Sequence, residues 1–260
     1  MLRNLFFSLC VLSVFVAQSQ ASLQIVSTNN GIPVSTANTN YVNFDIGSVT
    51  DNGGGNYTAA NYSSSADPLG SIDVNITPNS QFASLPNTSS YAAPWIGLGN
   101  GAAMTTLFGN PASDTGAQDS TQYVSSGSNL GNTTNAQVEL LFSSGQQYLG
   151  LLWGSVDSDP VDYNELTFYF DDNTTETING TQVSLAAGGN QGDTGTYYVN
   201  IDSDKPFSKV VATSSKFAFE FDNLAYSVDR IVPEASTIAV WSVLSLIGVG
   251  AAYRKRAKLA

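Results

Sequence analysis

Two groups of acidic side chains in this chain could bind a cation. Asp157, Asp159 and Asp162, with Asn164 and Glu165 beside them, crowd one short segment. A calcium ion takes about six to eight oxygens from carboxylates, carbonyls and amides, and such a loop supplies several. The spacing matches no EF-hand or repeat-in-toxin loop, so a solvated acidic turn is the competing reading. The second group is Glu220, Asp222 and Asn223. It would meet Asp45 of Asn43-Phe44-Asp45 if the first and last strands pair, against a plain Asp-Asn turn between strands.

Flat rings offer a different chemistry. Tyr57, Tyr62, Tyr91, Trp95 and Tyr123 lie in loop-like segments, where they could stack on pyranose faces of a polysaccharide. Trp153, in an apolar run, is assigned to the core. Paired carboxylates about 5–9 Å apart could run glycoside hydrolysis, but among this many acids some pair falls in that range by chance. No catalytic residue is assigned, and the expectation is a protein that is not an enzyme.

Other chemistries are excluded by composition. Histidine is absent, which removes Ser-His-Asp and Cys-His catalysis and every imidazole metal site. Cys10 is the only cysteine, so disulfides contribute nothing to stability. Nothing basic lies between positions 4 and 204. From residue 22 to 233, Lys205, Lys209, Lys216 and Arg230 face 20 acidic residues, all 21 but Glu234, for a net charge of −16. Such a surface repels nucleic acid.

The elements that must position these residues read as strands. No window holds a 3.6-residue apolar period, and short alternating runs are separated by Gly, Asn and Asp clusters. The spacing predicts strands at Tyr41 to Ile46, Ser71 to Thr77, Ala136 to Phe142, Tyr148 to Trp153, Glu165 to Phe170, Thr196 to Ile201, Phe207 to Thr213, Phe217 to Asp222 and Leu224 to Val228. Leu166, Phe168 and Phe170 share one face of their strand, while Glu165, Thr167 and Tyr169 share the other. Leu149, Leu151 and Trp153 alternate with Gly150 and Leu152, apolar on both sides, as a covered central strand requires. Thr50 to Asp67 and Asn110 to Thr134 read as long surface loops, the kind that carry function or move. The expected fold class is all-β, a jelly-roll-like β-sandwich over residues 22–230.

Both ends of the chain are apolar segments with charged flanks. Met1-Leu2-Arg3-Asn4, the run Leu5 to Ala17, and Ser19-Gln20-Ala21 form the three-part pattern of a secretory signal peptide over 1–21, cut between Ala21 and Ser22. That expectation brings in signal peptidase and the general secretion machinery. Cys10 follows Leu9 too early in the chain for a lipoprotein signal. After Val232-Pro233-Glu234-Ala235-Ser236-Thr237 comes the run Ile238 to Tyr253, then Arg254-Lys255-Arg256-Ala257-Lys258. An apolar helix of this length reaches about 24 Å, and Ser236, Thr237 and a snorkelling Arg254 extend it toward the roughly 30 Å of a hydrocarbon core. One transmembrane helix is therefore expected at 237–253. The basic tail at 254–260 holds its end in the cytoplasm and leaves the large domain outside.

This ending resembles the PEP-CTERM sorting signal: a short Pro-Glu-Pro motif, a transmembrane helix and a few basic residues, here over 231–260. Ala235 stands where the family most often has a second proline. The resemblance implies that an exosortase, a membrane-embedded cysteine transpeptidase-like enzyme, cuts near motif residues 232–237 and releases or transfers the domain, often in bacteria that make exopolysaccharide. Tyr148 to Asp157, Tyr163 to Tyr169 and Phe217 to Tyr226 are also similar to exosortase-dependent surface proteins, a family that brings no biochemical activity. The expectation is a membrane-anchored precursor whose mature domain sits at the cell surface or in the matrix, touching exopolysaccharide. The alternative is a carbohydrate-binding β-sandwich module with structural calcium.

Overall fold

The computed structural model describes residues 23–231 apart from 46–47, 63–70, 78, 89–90, 128–135, 159, 161 and 217. The apolar terminal segments lie outside the described residues, so the signal peptide, the sorting motif and the transmembrane helix do too. Among the described residues no helix is long and apolar enough to cross a membrane.

The chain is all-β. In order it runs β1 (Leu23–Asn29), β2 (Asn40–Val42), β3 (Val49–Gly53), β4 (Asn56–Ala60), β5 (Ser71–Ile76), β6 (Ser80–Ala83) and β7 (Trp95–Ile96). A short helix α1 (Gly101–Phe108) precedes β8 (Ala117–Gln118), β9 (Tyr123–Ser126), β10 (Gln137–Gly154), β11 (Asn164–Phe170) and β12 (Thr175–Asn179). One helical turn α2 (Gly180–Val183), β13 (Tyr197–Ser214) and β14 (Phe219–Ser227) complete it. All strand pairings among the described residues are antiparallel.

Two 18-residue strands, β10 and β13, organise the sheet. The first half of β10 pairs with the second half of β13, and the register shifts between Leu141 and Tyr148. Beyond the shift, Tyr148 to Trp153 pair with Asp202 to Tyr197. The sheet is thereby divided into two wings. One wing runs β3-β4-β5-β10-β13-β11-β12, and the other runs β1-β13-β10-β14-β9-β6 with β2 on the far end of β14. Val138, Leu140, Leu166, Phe168, Val210 and their neighbours in the first wing share one apolar cluster with Leu149, Leu151, Trp153, Phe219 and Phe221 of the second.

The wings differ on their outer faces. In the first, β11 alternates buried Leu166, Phe168 and Phe170 with outward Glu165, Thr167 and Tyr169, as its sequence predicts. In the second, the outer side of β10 and β13 carries Tyr148, Leu152 and Tyr198, which pack under Met104 and Phe108 of α1. Met104 and Phe108 are four apart and so lie on one helical face. Phe108 meets the Tyr41 ring edge-on at 5.4 Å. This cover is why the Tyr148 to Trp153 segment is apolar on both sides, and Trp153 is fully buried as expected.

Three expectations change in the structure. The predicted strands at 136–142 and 148–153 are one strand, as are those at 196–201 and 207–213, because bulges bend these strands without ending them. Thr50 to Asp67, read as a loop, contains the β3–β4 hairpin, turned by Gly53, Gly54 and Gly55 at positive φ. Asn110 to Thr134 holds β8, β9 and a 3-10 turn. In β14, Leu152 sits opposite Asp222 and Gly150 opposite Ala225, an extra residue that puts Asn223 at φ 51°. That bulge restores parity, so Phe219, Phe221, Leu224 and Tyr226 all face the core while Asp222 and Ala225 face α1's side.

Candidate acidic site under the covered wing

Three carboxyls meet under the covered wing, and each arrives on a different element. Asp222 comes from β14, where its parity points it away from the main core. Asp45 follows β2, and the backbone N–H of Phe44 donates to Asp222 Oδ1 at 3.2 Å. Asp119 follows β8. The chain reaches it from α1 through Gly109, whose φ of 83° ends the helix and whose α-carbon leaves only 2.8 Å for a Cβ against the Tyr62 ring. Asn110, next in sequence, donates from Nδ2 to Asp119 Oδ2 at 3.0 Å. The Thr121 N–H donates to Asp119 Oδ1 at 2.9 Å, and its hydroxyl donates to the same atom at 2.5 Å.

The electrostatics follow from burial. Asp119 and Asp222 are essentially inaccessible, and their carboxyls lie within hydrogen-bonding reach of each other. Burial pushes both above the usual carboxylate range, and for Asp222 the charges of Asp119 and Asp45 push further. Asp45 is raised by burial first; the Thr121 hydroxyl and the Gln122 N–H ease its charge, and Asp119 and Asp114 oppose it. Asn43 Nδ2 donates to Asp45 Oδ2 at 2.9 Å and also to the Phe108 carbonyl, tying Asp45 to the end of α1. Asp114 is a closing residue of the same loop, accepting from the Ser120 N–H at 2.9 Å and from its hydroxyl. Among the described residues no group of three or more acidic side chains is placed to hold a metal ion.

The pairing of Asp45 with Asp222 is as expected from the sequence; the place of Glu220 is not. Its Oε1 accepts from the Ala92 N–H at 2.9 Å and its Oε2 accepts from the Ser155 hydroxyl. Burial pushes Glu220 up to about 8. Both oxygens therefore have donors, and Glu220 serves the Ala92 loop instead. Asn223 donates to Met104 Sδ at 3.5 Å, holding α1 to the bulge.

The acidic loop of the first reading is put to structural use. Asp162 Oδ1 accepts from the Thr181 N–H at 2.8 Å and Oδ2 from Asn179 Nδ2 at 3.2 Å, so it holds the start of α2. Asp157 accepts from Asn164 Nδ2 at 3.0 Å. Burial, then the charge of Asp162, pushes Asp157 up to about 6. Asp159 lies outside the described residues.

The aromatic candidates are separated. Tyr57 is half-buried with its ring 4.8 Å from Phe82, and with Asp51, Gln81, Phe82 and Gln122 it lines a cleft of about 450 Å³. Tyr62 is half-buried against the Phe108 cluster. Trp95 is half-buried in β7 and its N–H donates to Thr196 Oγ1 at 3.1 Å. Tyr123 is fully buried in β9 and packs against Tyr91, so it presents no face to a sugar.

Sequence reasoning missed Asp119 and Asn110. Both fall in the long polar segment singled out as a functional loop. The local signal is Asp119-Ser120-Thr121, an acid followed by hydroxyls that fold back on it. Also missed was the pair that ends the body. Buried Asp202 of β13 accepts on Oδ2 from Arg230 Nε at 2.9 Å and Nη2 at 2.7 Å, and on Oδ1 from the Ile231 N–H at 2.7 Å. No protein-family model matches the chain, and no curated protein sequence matches it.

Proposed function

We propose that this chain is an exported bacterial surface or extracellular-matrix protein without enzymatic activity, whose jelly-roll-like β-sandwich is sorted through a PEP-CTERM-like signal at 231–260 and cut there by an exosortase. In this reading the precursor is held in the inner membrane by 237–253, with Arg254, Lys255, Arg256 and Lys258 inside. The single observation that supports it is where the body begins and ends. Leu23 lies opposite Ser203 of β13, and Arg230 and Ile231 are bonded to the adjacent Asp202. A signal peptide ending at Ala21 and a sorting motif starting at Val232 would both adjoin this one place on the body. The sandwich reading draws on two wings closing over one shared apolar cluster. Mass spectrometry of the surface form from the producing bacterium tests the proposal. The expected chain begins at Ser22 and lacks everything beyond about Pro233; recovery of a peptide from Ile238 onward would overturn it.

A second reading, binding of exopolysaccharide, is favoured by the cleft in which Tyr57 stands beside Asp51, Gln81 and Gln122. Polysaccharide pull-down with Tyr57→Ala is expected to weaken about tenfold, the worth of one stacking contact. Trp95→Ala and Tyr62→Ala extend the test to the other two rings. No retention of wild-type protein on any polysaccharide removes this reading and leaves the sorting proposal untouched.

A further inference from the structure

We propose that Val26, Ile32 and Val34 form a lipid-facing patch that lays the body on the outer surface of the bilayer while the chain is anchored. This rests on the anchor reading of 237–253. Val26 lies on the outward face of β1 with Gln24 and Thr28, opposite Asn200. The Asn200 side chain draws the following segment against this strand. Its Nδ2 donates to the Ile32 carbonyl at 3.1 Å, and its Oδ1 accepts from the Val34 N–H at 3.0 Å. The three residues are therefore neighbours, yet they are 56%, 49% and 40% exposed. Elsewhere on this side of the sheet, α1 covers the apolar residues. Aliphatic side chains gathered in the open mark a surface that meets something apolar.

The charge pattern fits a membrane surface. From 22 to 233 the chain sets four basic residues against 20 acidic ones, but none of either kind falls between Ser22 and Phe44, the stretch that holds all three. The rim carries Asp193, which accepts from Asn30 Nδ2 at 3.3 Å, and Asp229, which accepts from Asn38 Nδ2 at 2.9 Å, with Arg230 on Asp202. A second copy of so acidic a body is repelled at long range. A polysaccharide asks for rings to stack on, and the three residues are aliphatic. An uncharged aliphatic patch suits the boundary between headgroups and acyl chains.

The length of chain beyond the body selects the same surface. Arg230 and Ile231 end on Asp202, which lies opposite Gln24 of β1, two residues or about 7 Å along the strand from Val26 and on the same face. Only residues 232–237 separate this exit from the apolar run, and fully extended they reach about 20 Å. A body of this length is roughly 40 Å across. So short a tether keeps the exit, and the patch beside it, turned to the bilayer. Three side chains are too few to hold a free body, but the tether supplies the effective concentration. The contact would set motif residues 232–237 at the lipid surface, and cutting the chain there would release the patch.

The full chain carrying Cys10→Ser, reconstituted into phosphatidylcholine–phosphatidylethanolamine liposomes, tests this with a fluorophore on a single introduced cysteine. Lipids bearing a nitroxide just below the headgroup are expected to quench a label at Val26→Cys or Val34→Cys at least about twofold. A label at Asn52→Cys, exposed on β3 in the other wing, should stay unquenched. Adding Ile32→Asp should bring the Val26→Cys label to the Asn52→Cys level, because a carboxylate resists leaving water. Flotation separates the two readings. Chain that fails to float with the liposomes removes the anchor and this proposal with it. Chain that floats with Val26→Cys quenched no more than Asn52→Cys overturns the patch and leaves the anchor standing. A Val26→Cys label that becomes shielded in detergent as protein concentration rises assigns the patch to a second copy and overturns the lipid contact.

Discussion

Asp202 and Asp222 are both fully buried on strands of the same wing, and they are treated in opposite ways. At the end of the body, Asp202 has a guanidinium on one oxygen and a backbone N–H on the other. Beneath α1, Asp222 has the backbone N–H of Phe44 at 3.2 Å and that of Asn223, and otherwise faces another carboxyl. Burying a carboxylate is costly unless it is paired. The difference shows that the chain supplies a cation of its own where the body ends and none where its cover is fastened. With four basic residues in 22–233, this division is a consequence of composition as much as of geometry.

The comparison breaks first, and hardest, at Arg230. Arg230→Ala leaves Asp202 buried with only the Ile231 N–H, and is expected to destabilise the protein by about 2–4 kcal/mol in urea unfolding. A loss below about 1 kcal/mol would erase the distinction between the two sites. Asp222→Asn should move stability the other way. The new amide can donate to Asp119 without needing a proton shared between two buried carboxyls, for a gain of about 1–3 kcal/mol. If both substitutions destabilise by similar amounts, Asp222 is not short of a partner.

A smaller effect separates the covered pocket from the acidic loop by its pH dependence. Asp157 is raised from 3.8 to about 6, so the folded state holds its proton more tightly than the unfolded state does. Its contribution to stability is full below pH 3.8 and is lost as pH rises through about 6. Because Asp157 is partly exposed, the loss is discounted to about 1 kcal/mol. Asp157→Asn should flatten that slope in denaturation curves taken between about pH 4 and pH 7; an unchanged slope assigns the titration to another group. Smallest is the bare wing, where Lys209 lies 3.6 Å from Glu139 at about one-third exposure each. Lys209→Ala should cost less than about 1 kcal/mol, and the effect should fade at high salt.

Much of the fold was legible because strand periodicity is local. Leu166, Phe168 and Phe170 declare their face by alternation alone, and the double-sided apolarity of Tyr148 to Trp153 declares a covered central strand before any cover is known. The gap left between the predicted strands ending at Phe142 and starting at Tyr148 is not a break, because β10 stays paired with β13 through it, Gln146 lying opposite Phe207. The edge strand β12, Thr175-Glu176-Thr177-Ile178-Asn179, has only Ile178 buried and gave no apolar signal to read. At the site, the Asp45–Asp222 contact was legible from the expected pairing of early and late strands. Asp119 was not, since it sits in a polar loop whose course depends on α1 and Gly109.

By itself the amino-acid order determined an all-β, acidic body lacking histidine and disulfides, because composition and the two-residue period of a strand are properties of neighbouring residues. Only the tertiary structure decided that Asp222 and not Glu220 joins Asp45, that Asp119 completes the group, and that Arg230 goes to Asp202. Glu220 and Asp222 share one face of one strand and are equivalent to any local reading. What distinguishes them is which segments arrive from far along the chain: the Ala92 loop and Ser155 over one, Phe44 and Asp119 over the other.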